Sequence, residues 1–227
     1  MLRRNLRIGS EKRVPLTVHR LPPTSMGQTT NAKGQTTNRT SAFGTWHLAL
    51  SLLFAAAPAF GSLCVWRSPD EDIADIYHAE SYKTVFEDIS DEMRQKIEEK
   101  LGFALDADET QFKFFPVFQG EDQVGTVMTH AGKGQFGVIE VVVAVVDTGT
   151  GAIVKEVRIQ RDREKAKAAI RSKEFLSQFE GMIAGDDFSV GGNLTAASED
   201  AIRSSEAIAA AVRKLLIVYD EFYASGQ

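Results

Sequence analysis

Three glycines, Gly132, Gly134 and Gly137, stand in the run GKGQFG immediately before the most strand-like stretch of the chain, and their spacing makes them the first candidates for chemistry. Lacking Cβ atoms, they leave backbone surface that a flat or anionic ligand can approach; the other reading is a plain connecting loop. A second candidate lies near the C-terminus, where Ser204 and Ser205 open a long amphipathic stretch and one of them is the expected helix N-cap. The free N–H groups and dipole of such a helix start attract phosphate. Hydrolytic chemistry has little comparable support, because no Ser, His and acid grouping is recognisable. Only His78 and His130 lie beyond the N-terminal region, no cluster has metal-ligand spacing, and the single Cys64 forms no intramolecular disulfide.

The elements that must position these residues follow from periodicity. Residues 138–146 (VIEVVVAVV) are mostly β-branched and predict a strand buried on most of its length. Asp147-Thr-Gly-Thr-Gly supplies a turn, and 153–159 returns with Ile153, Val157 and Ile159 on one face and Glu156 and Arg158 on the other, making a hairpin. Upstream, 111–119 (QFKFFPVFQ) and 123–130 (QVGTVMTH) read as strands joined by a turn at Gly120-Glu121-Asp122, with Pro116 predicting an edge position. Tyr82, Val85, Phe86, Ile89, Met93, Ile97 and Leu101 recur at helical spacing, with Ser90 capping a break and Gly102 a stop. Residues 164–179 read as a charged helix with Ala168, Phe175 and Phe179 inward, and 181–192 as a glycine-bearing loop. The last helix, 204–223, buries Ile208, Ala211, Val212, Leu215, Leu216, Tyr219 and Phe222. The fold class expected is α+β, an antiparallel sheet packed by helices and preceded by a signal peptide or membrane anchor.

A chain of 227 residues, 43% hydrophobic and 25% charged, has room for one globular domain and extra segments. A net charge of −5 argues against general nucleic-acid binding, which needs surplus Lys and Arg to replace counterions. Residues 1–45 read as a basic then polar tail containing GQTTN twice, with translation starting at Met1 or at Met26. Residues 46–66 hold the one strongly apolar run, LALSLLFAAAPAF, ending in the small-x-small pattern Ala57-Pro58-Ala59. That is a secretory signal peptide or an uncleaved anchor with Trp46 and Trp66 at its two ends. With basic residues before it and Asp70-Glu71-Asp72 after it, both readings put the domain outside the cytoplasm, periplasmic or held in the inner membrane. Residues 67–102 then form a helical segment and 103–227 the main domain.

The order strand pair, GKGQFG loop, VIEVVVAVVDTGTGAIVKEVRI hairpin, FLSQFEG and SEDAIRSSEAIAAAVRKL resembles the FMN-binding domain family over about residues 103–223. Flavin-carrying subunits of the Rnf complex and of the sodium-translocating NADH:quinone oxidoreductase belong to it. The resemblance implies an extracytoplasmic electron carrier with FMN as cofactor and membrane-associated redox proteins as partners. Such proteins carry a Ser-Gly-Ala-Thr core whose threonine takes the flavin phosphate, followed by a Ser-Ser pair. Here Ser204 and Ser205 match the pair and Ala201 the alanine, while Asp200 replaces the glycine and Ile202 the threonine. A shifted register makes Ser198 the acceptor. The Glu-Thr-Pro-Gly type segment that follows the hairpin in many members is replaced by Arg161-Asp162-Arg163-Glu164.

Electrostatics at that helix start add to the motif loss. Glu199 and Asp200 place carboxylates where the phosphate would sit, opposed by Arg203. A flavin retained here is expected to be noncovalent, with residues 132–137 beside the ring and Arg203, Ser204 and Ser205 near the phosphate. His130, abutting the glycine loop, is either a flavin or proton-relay contact or a satisfied surface histidine. The alternative function is a flavin-free accessory or interaction module of a membrane-associated complex that keeps the fold.

Overall fold

The structure, a computed structural model, describes residues 18–20, 68–79 and 81–224. The chain divides into two units, 1–21 with 67–227 and 22–66 by itself. The signal or anchor expected at 46–66, like the polar repeat before it, lies outside the described residues. Among those described, no helix is long and apolar enough to cross a membrane.

Seven strands occupy six positions in one antiparallel sheet. They are β1 (Val18–Arg20), β2 (Ser81–Lys83), β3 (Val85–Asp88), β4 (Gln111–Gln119), β5 (Asp122–Lys133), β6 (Val138–Asp147) and β7 (Ala152–Arg161). The order is β1-β2-β4-β5-β6-β7, with β3 also on β4. Helices α1 (Asp70–Tyr77), α2 (Asp91–Leu101), α3 (Lys167–Ile170), α4 (Lys173–Leu176) and α5 (Ile202–Tyr219) complete the α+β architecture.

Two apolar cores lie on the sheet's opposite faces. On one, Ile208, Val212, Leu215 and Leu216 of α5 and Ile97 and Leu101 of α2 pack with Phe114, Met128, Val141, Val143 and Val145. On the other, Ile73, Ile76 and Tyr77 of α1 cover Phe115, Val117, Val127, Val142 and Ala144. Strand β6 serves both cores, which explains its nearly unbroken valine run. Tyr77 also reaches into the sheet: its ring fills the side of Gly125, where a β carbon would stand 2.5 Å from Cε1, and its hydroxyl donates to Val145 O at 2.7 Å.

The β6–β7 hairpin and the turn between them form as the sequence predicts. Gly149 (φ 79°) donates to Asp147 Oδ1 at 2.6 Å, a turn that L side chains adopt poorly. The inward set on β7 differs. Register shifts opposite Ala144/Val145 and Glu140/Val141 leave Lys155 and Gln160 as extra residues, so Val154, Val157 and Ile159 face the α5 core and Ile153 does not.

The helical segment expected at 67–102 is corrected. Only α1 and α2 are helical there, and the stretch between them makes strands β2 and β3 against β4. The helical spacing of Tyr82, Val85 and Phe86 yields to pairing with a ready strand edge, and Phe86 stays exposed. From Ser90 onward the expectation holds: its hydroxyl accepts from Met93 N at 3.2 Å, and Gly102 (φ 81°) ends α2. Pro116 is not on a sheet edge, because β4 pairs on both sides. It falls where one side of β4 changes partner, between Phe114 opposite β3 and Val117 opposite β2, so its missing N–H is tolerated.

Residues 164–179 are not one helix either. The chain passes through 162–164 without helix or strand and then makes the short turns α3 and α4 and a 3₁₀ turn at Ser177–Phe179. Phe175 and Phe179 are buried as expected; Ala168 is exposed and Ile170 takes the inward place.

Candidate functional site

The glycine run is the connection between β5 and β6, closed by Gly134 N donating to Gly137 O at 2.7 Å. The segment after β7 passes alongside it and delivers Glu164, a residue only 2% exposed. Glu164 Oε1 accepts from Phe136 N at 3.0 Å and Oε2 accepts from the Ser204 hydroxyl at 2.6 Å. Its own N–H donates to Asp162 Oδ1 at 3.0 Å, and Asp162 Oδ2 accepts from Arg171 Nε at 2.7 Å. The structure therefore does bring the two candidates together, the glycine loop and the start of α5. The residue that joins them is a glutamate that the sequence signal left out.

Each candidate has a definite place. A β carbon on Gly134 would collide with Glu164 Oε1 and stand 2.6 Å from Ile139 Cδ1, and one on Gly137 would stand 3.0 Å from Arg163 Cβ. Both glycines make room for the protein's own side chains. Gly132 faces α5, where an added β carbon would meet Ala207 O at 3.8 Å. Ser204 and Ser205 are not the N-cap: α5 begins at Ile202 after a 3₁₀ turn at Glu199–Ala201, and the capping position is Ala201, without a side-chain bond. Both hydroxyls are buried and committed. Ser205 Oγ donates to Ala201 O at 2.8 Å and accepts from Ala197 N at 3.0 Å.

Ser198 is half-buried with extended backbone, its carbonyl accepts from Ala201 N at 3.0 Å, and its side chain makes no cap bond. Arg203 is exposed, as are Glu199 and Asp200. Ile202, which the resemblance sets at the place of the threonine, is 46% exposed.

These residues do not fit an FMN phosphate between loop and helix. The place is held by a buried carboxylate with both oxygens bonded, the two serine hydroxyls are used internally, and two further carboxylates stand at the helix start. Elsewhere, a cleft of about 440 Å³ opens between residues 186–190 and α5. Asp186, Asp187 and Glu206 line it, and Arg213, its one cation, is spent on Leu101 O and Lys100 O at the end of α2, so it does not suit a phosphate either. Among the described residues no group of three or more His, Cys, Asp and Glu is placed to hold a metal.

His130 is half-buried rather than on the surface. Burial first, and then the nearby Lys214 ammonium, lower its pKa to about 4, against weaker pulls from Glu109 and Asp106. It is thus a neutral imidazole at ordinary pH. Lys214 is itself buried and ion-paired to Glu109. Among known proteins, no family model matches the chain and no curated protein resembles it significantly.

Proposed function

We propose that this chain is a flavin-free interaction module, an α+β domain of FMN-binding type whose cofactor site has been closed by its own side chains. Its role is that of an extracytoplasmic accessory component in a membrane-associated complex. The observation that carries this reading is Glu164, whose buried carboxylate ties Phe136 N to the Ser204 hydroxyl in the space a phosphate would need. Ile202 supports it, since a hydrocarbon side chain forms no phosphoester.

The test is the visible spectrum of protein purified from its native host, followed by titration with FMN. Expected are no flavin absorbance and no saturable change in flavin fluorescence. A yellow protein, or stoichiometric FMN uptake, overturns the reading.

A second reading, an FMN electron carrier relaying between membrane-associated redox proteins, is favoured by one observation. The Ser198 side chain caps nothing and stands just ahead of α5, outside the closed loop, with the exposed Arg203 a turn away. In that case FMN supplies the redox chemistry. Flavin that stays with acid-precipitated protein assigns a covalent link at Ser198 or another hydroxyl; flavin released to the supernatant assigns noncovalent binding.

A further inference from the structure

Residues 161–167, RDREKAK, mix four cations with two anions, so half of the positive charge is cancelled in sequence. The fold separates them. Burial alternates as the chain leaves β7, and Lys165 and Lys167 follow in a turn and at the start of α3. Asp162 and Glu164 turn inward, 7% and 2% exposed, each with protein partners. Arg161, Arg163, Lys165 and Lys167 are all left exposed.

This basic ridge lies against the tip of the β5–β6 hairpin. Lys165 Nζ sits 4.4 Å from the centroid of the Phe136 ring, and Arg163 packs over Gly137. Lys133, also exposed, pairs with Val138 across the hairpin base. Phe136 on the turn and Val138 at the first position of β6, each 43% exposed, are therefore apolar groups with cations beside them. The start of α5, joined to the same Glu164 through Ser204, adds the exposed Ile202 and Arg203, and its carboxylates Glu199 and Asp200 limit the patch on that side.

We propose that this hairpin tip and basic ridge dock on an anionic lipid surface. A phenylalanine on a four-residue turn is shaped to enter the boundary between headgroups and acyl chains, while long Lys and Arg side chains reach the phosphates around it. Phe136 on the connection and Val138 at the start of β6 are separate apolar side chains among cations, which suits a soft interface better than a complementary protein face. The chain's overall charge of −5 opposes such a membrane, so attraction at the domain depends on a local patch of this kind and is sensitive to salt. The inference rests on the interaction-module reading and names its contact.

The experiment uses the full chain mixed with vesicles, with Cys64→Ser and Gln135→Cys carrying a nitroxide label. Gln135 is exposed at the tip, so the label reports on the hairpin itself even where the apolar N-terminal segment tethers the protein to the vesicle. With phosphatidylglycerol vesicles the label is expected to become accessible to lipid-dissolved oxygen and shielded from a water-soluble nickel chelate, and high salt reverses this. Zwitterionic vesicles give no such shift. Adding Lys165→Glu or Phe136→Ser returns the label to water, with apparent lipid affinity falling about fivefold or more for each basic residue lost. A label that stays in water on anionic vesicles overturns the proposal. So does shielding produced by free polyglutamate but not by vesicles, which assigns the ridge to an acidic polypeptide. Flavin binding is read separately by absorbance, so the failure of one reading is distinguishable from failure of the other.

Discussion

The Ser204 hydroxyl donates a 2.6 Å hydrogen bond to Glu164 Oε2, forty positions earlier in the chain and buried with it. Through the second oxygen of that carboxylate the bond continues to Phe136 N at 3.0 Å. Three segments meet on one side chain, and its removal leaves a backbone N–H and a hydroxyl without partners. Glu164→Ala is expected to cost about 2–4 kcal/mol and Ser204→Ala about 1 kcal/mol, with the double variant costing less than the sum. Urea unfolding of the four proteins measures this. Additive costs would show that the two side chains do not share a bond.

Placing a hydroxyl at position 202 should not create a flavin site. Ile202→Thr leaves Glu164, Ser204 and Ser205 bonded as before, so FMN titration of the variant is expected to remain flat. Saturable binding by Ile202→Thr alone would place the obstacle in the missing hydroxyl rather than in the closed loop.

Gly125→Ala tests the passage of Tyr77 into the sheet. The new methyl group meets the ring at 2.5 Å from Cε1, contact that real structures do not tolerate, and the expected loss is about 1–3 kcal/mol. In a Tyr77→Leu background the same alanine should cost much less. Equal costs in the two backgrounds, read by thermal or urea unfolding, would refute steric coupling.

His130 gives the acid limb of stability a defined part. Its folded pKa is lowered from 6.5 to about 4, so as pH falls through this window the unfolded chain takes up a proton that the folded chain refuses. Stability from this group is complete above about 6.5 and is lost as pH drops towards 4, on the order of 2–3 kcal/mol in all. His130→Gln should flatten that part of the curve and leave stability above pH 7 less affected by pH. Lys214→Met removes the cation beside the imidazole and is expected to raise the His130 pKa, followed by NMR titration of its ring protons.

The parts of the fold legible in sequence were those with their own local signal. The valines of β6, the Asp147-to-Gly151 turn and the amphipathic run of α5 sit where pattern and turn chemistry place them. Strands β2 and β3 were hidden because Tyr82, Val85 and Phe86 share helical spacing by coincidence, and only the edge of β4 makes them extended. At the site, glycine and serine types marked the correct two segments and missed what joins them. Glu164 carries no motif; its role arises from burial and from partners at positions 136 and 204. The basic ridge was hidden for the same reason, since Asp162 and Glu164 cancel Arg163 and Lys165 in any charge count until the fold hides the acids.

Strand β7 is two residues longer than its partner needs. Lys155 lies over the Tyr77 ring at 5.1 Å, and the Gln160 amide nitrogen donates to Asp72 Oδ2 at 2.7 Å, but neither residue has an opposite number on β6. The surplus Lys155 lets Val157 and Ile159 keep the inward phase of Val154 after two polar side chains in succession on the other face, and the surplus Gln160 does the same for the buried Asp162. The strand is thus written with spare letters. Deleting Lys155 alone would set Val154 and Glu156 opposite Val145 and Ala144 in a regular ladder and keep Val154 and Val157 on the α5 core, whereas deleting Val154 and Lys155 together would take away the partner of Val145 and turn Glu156 inward. Length variation at this edge of the sheet should therefore come in single residues, at positions 155 and 160, where one letter can be dropped and the alternation of the strand stays whole.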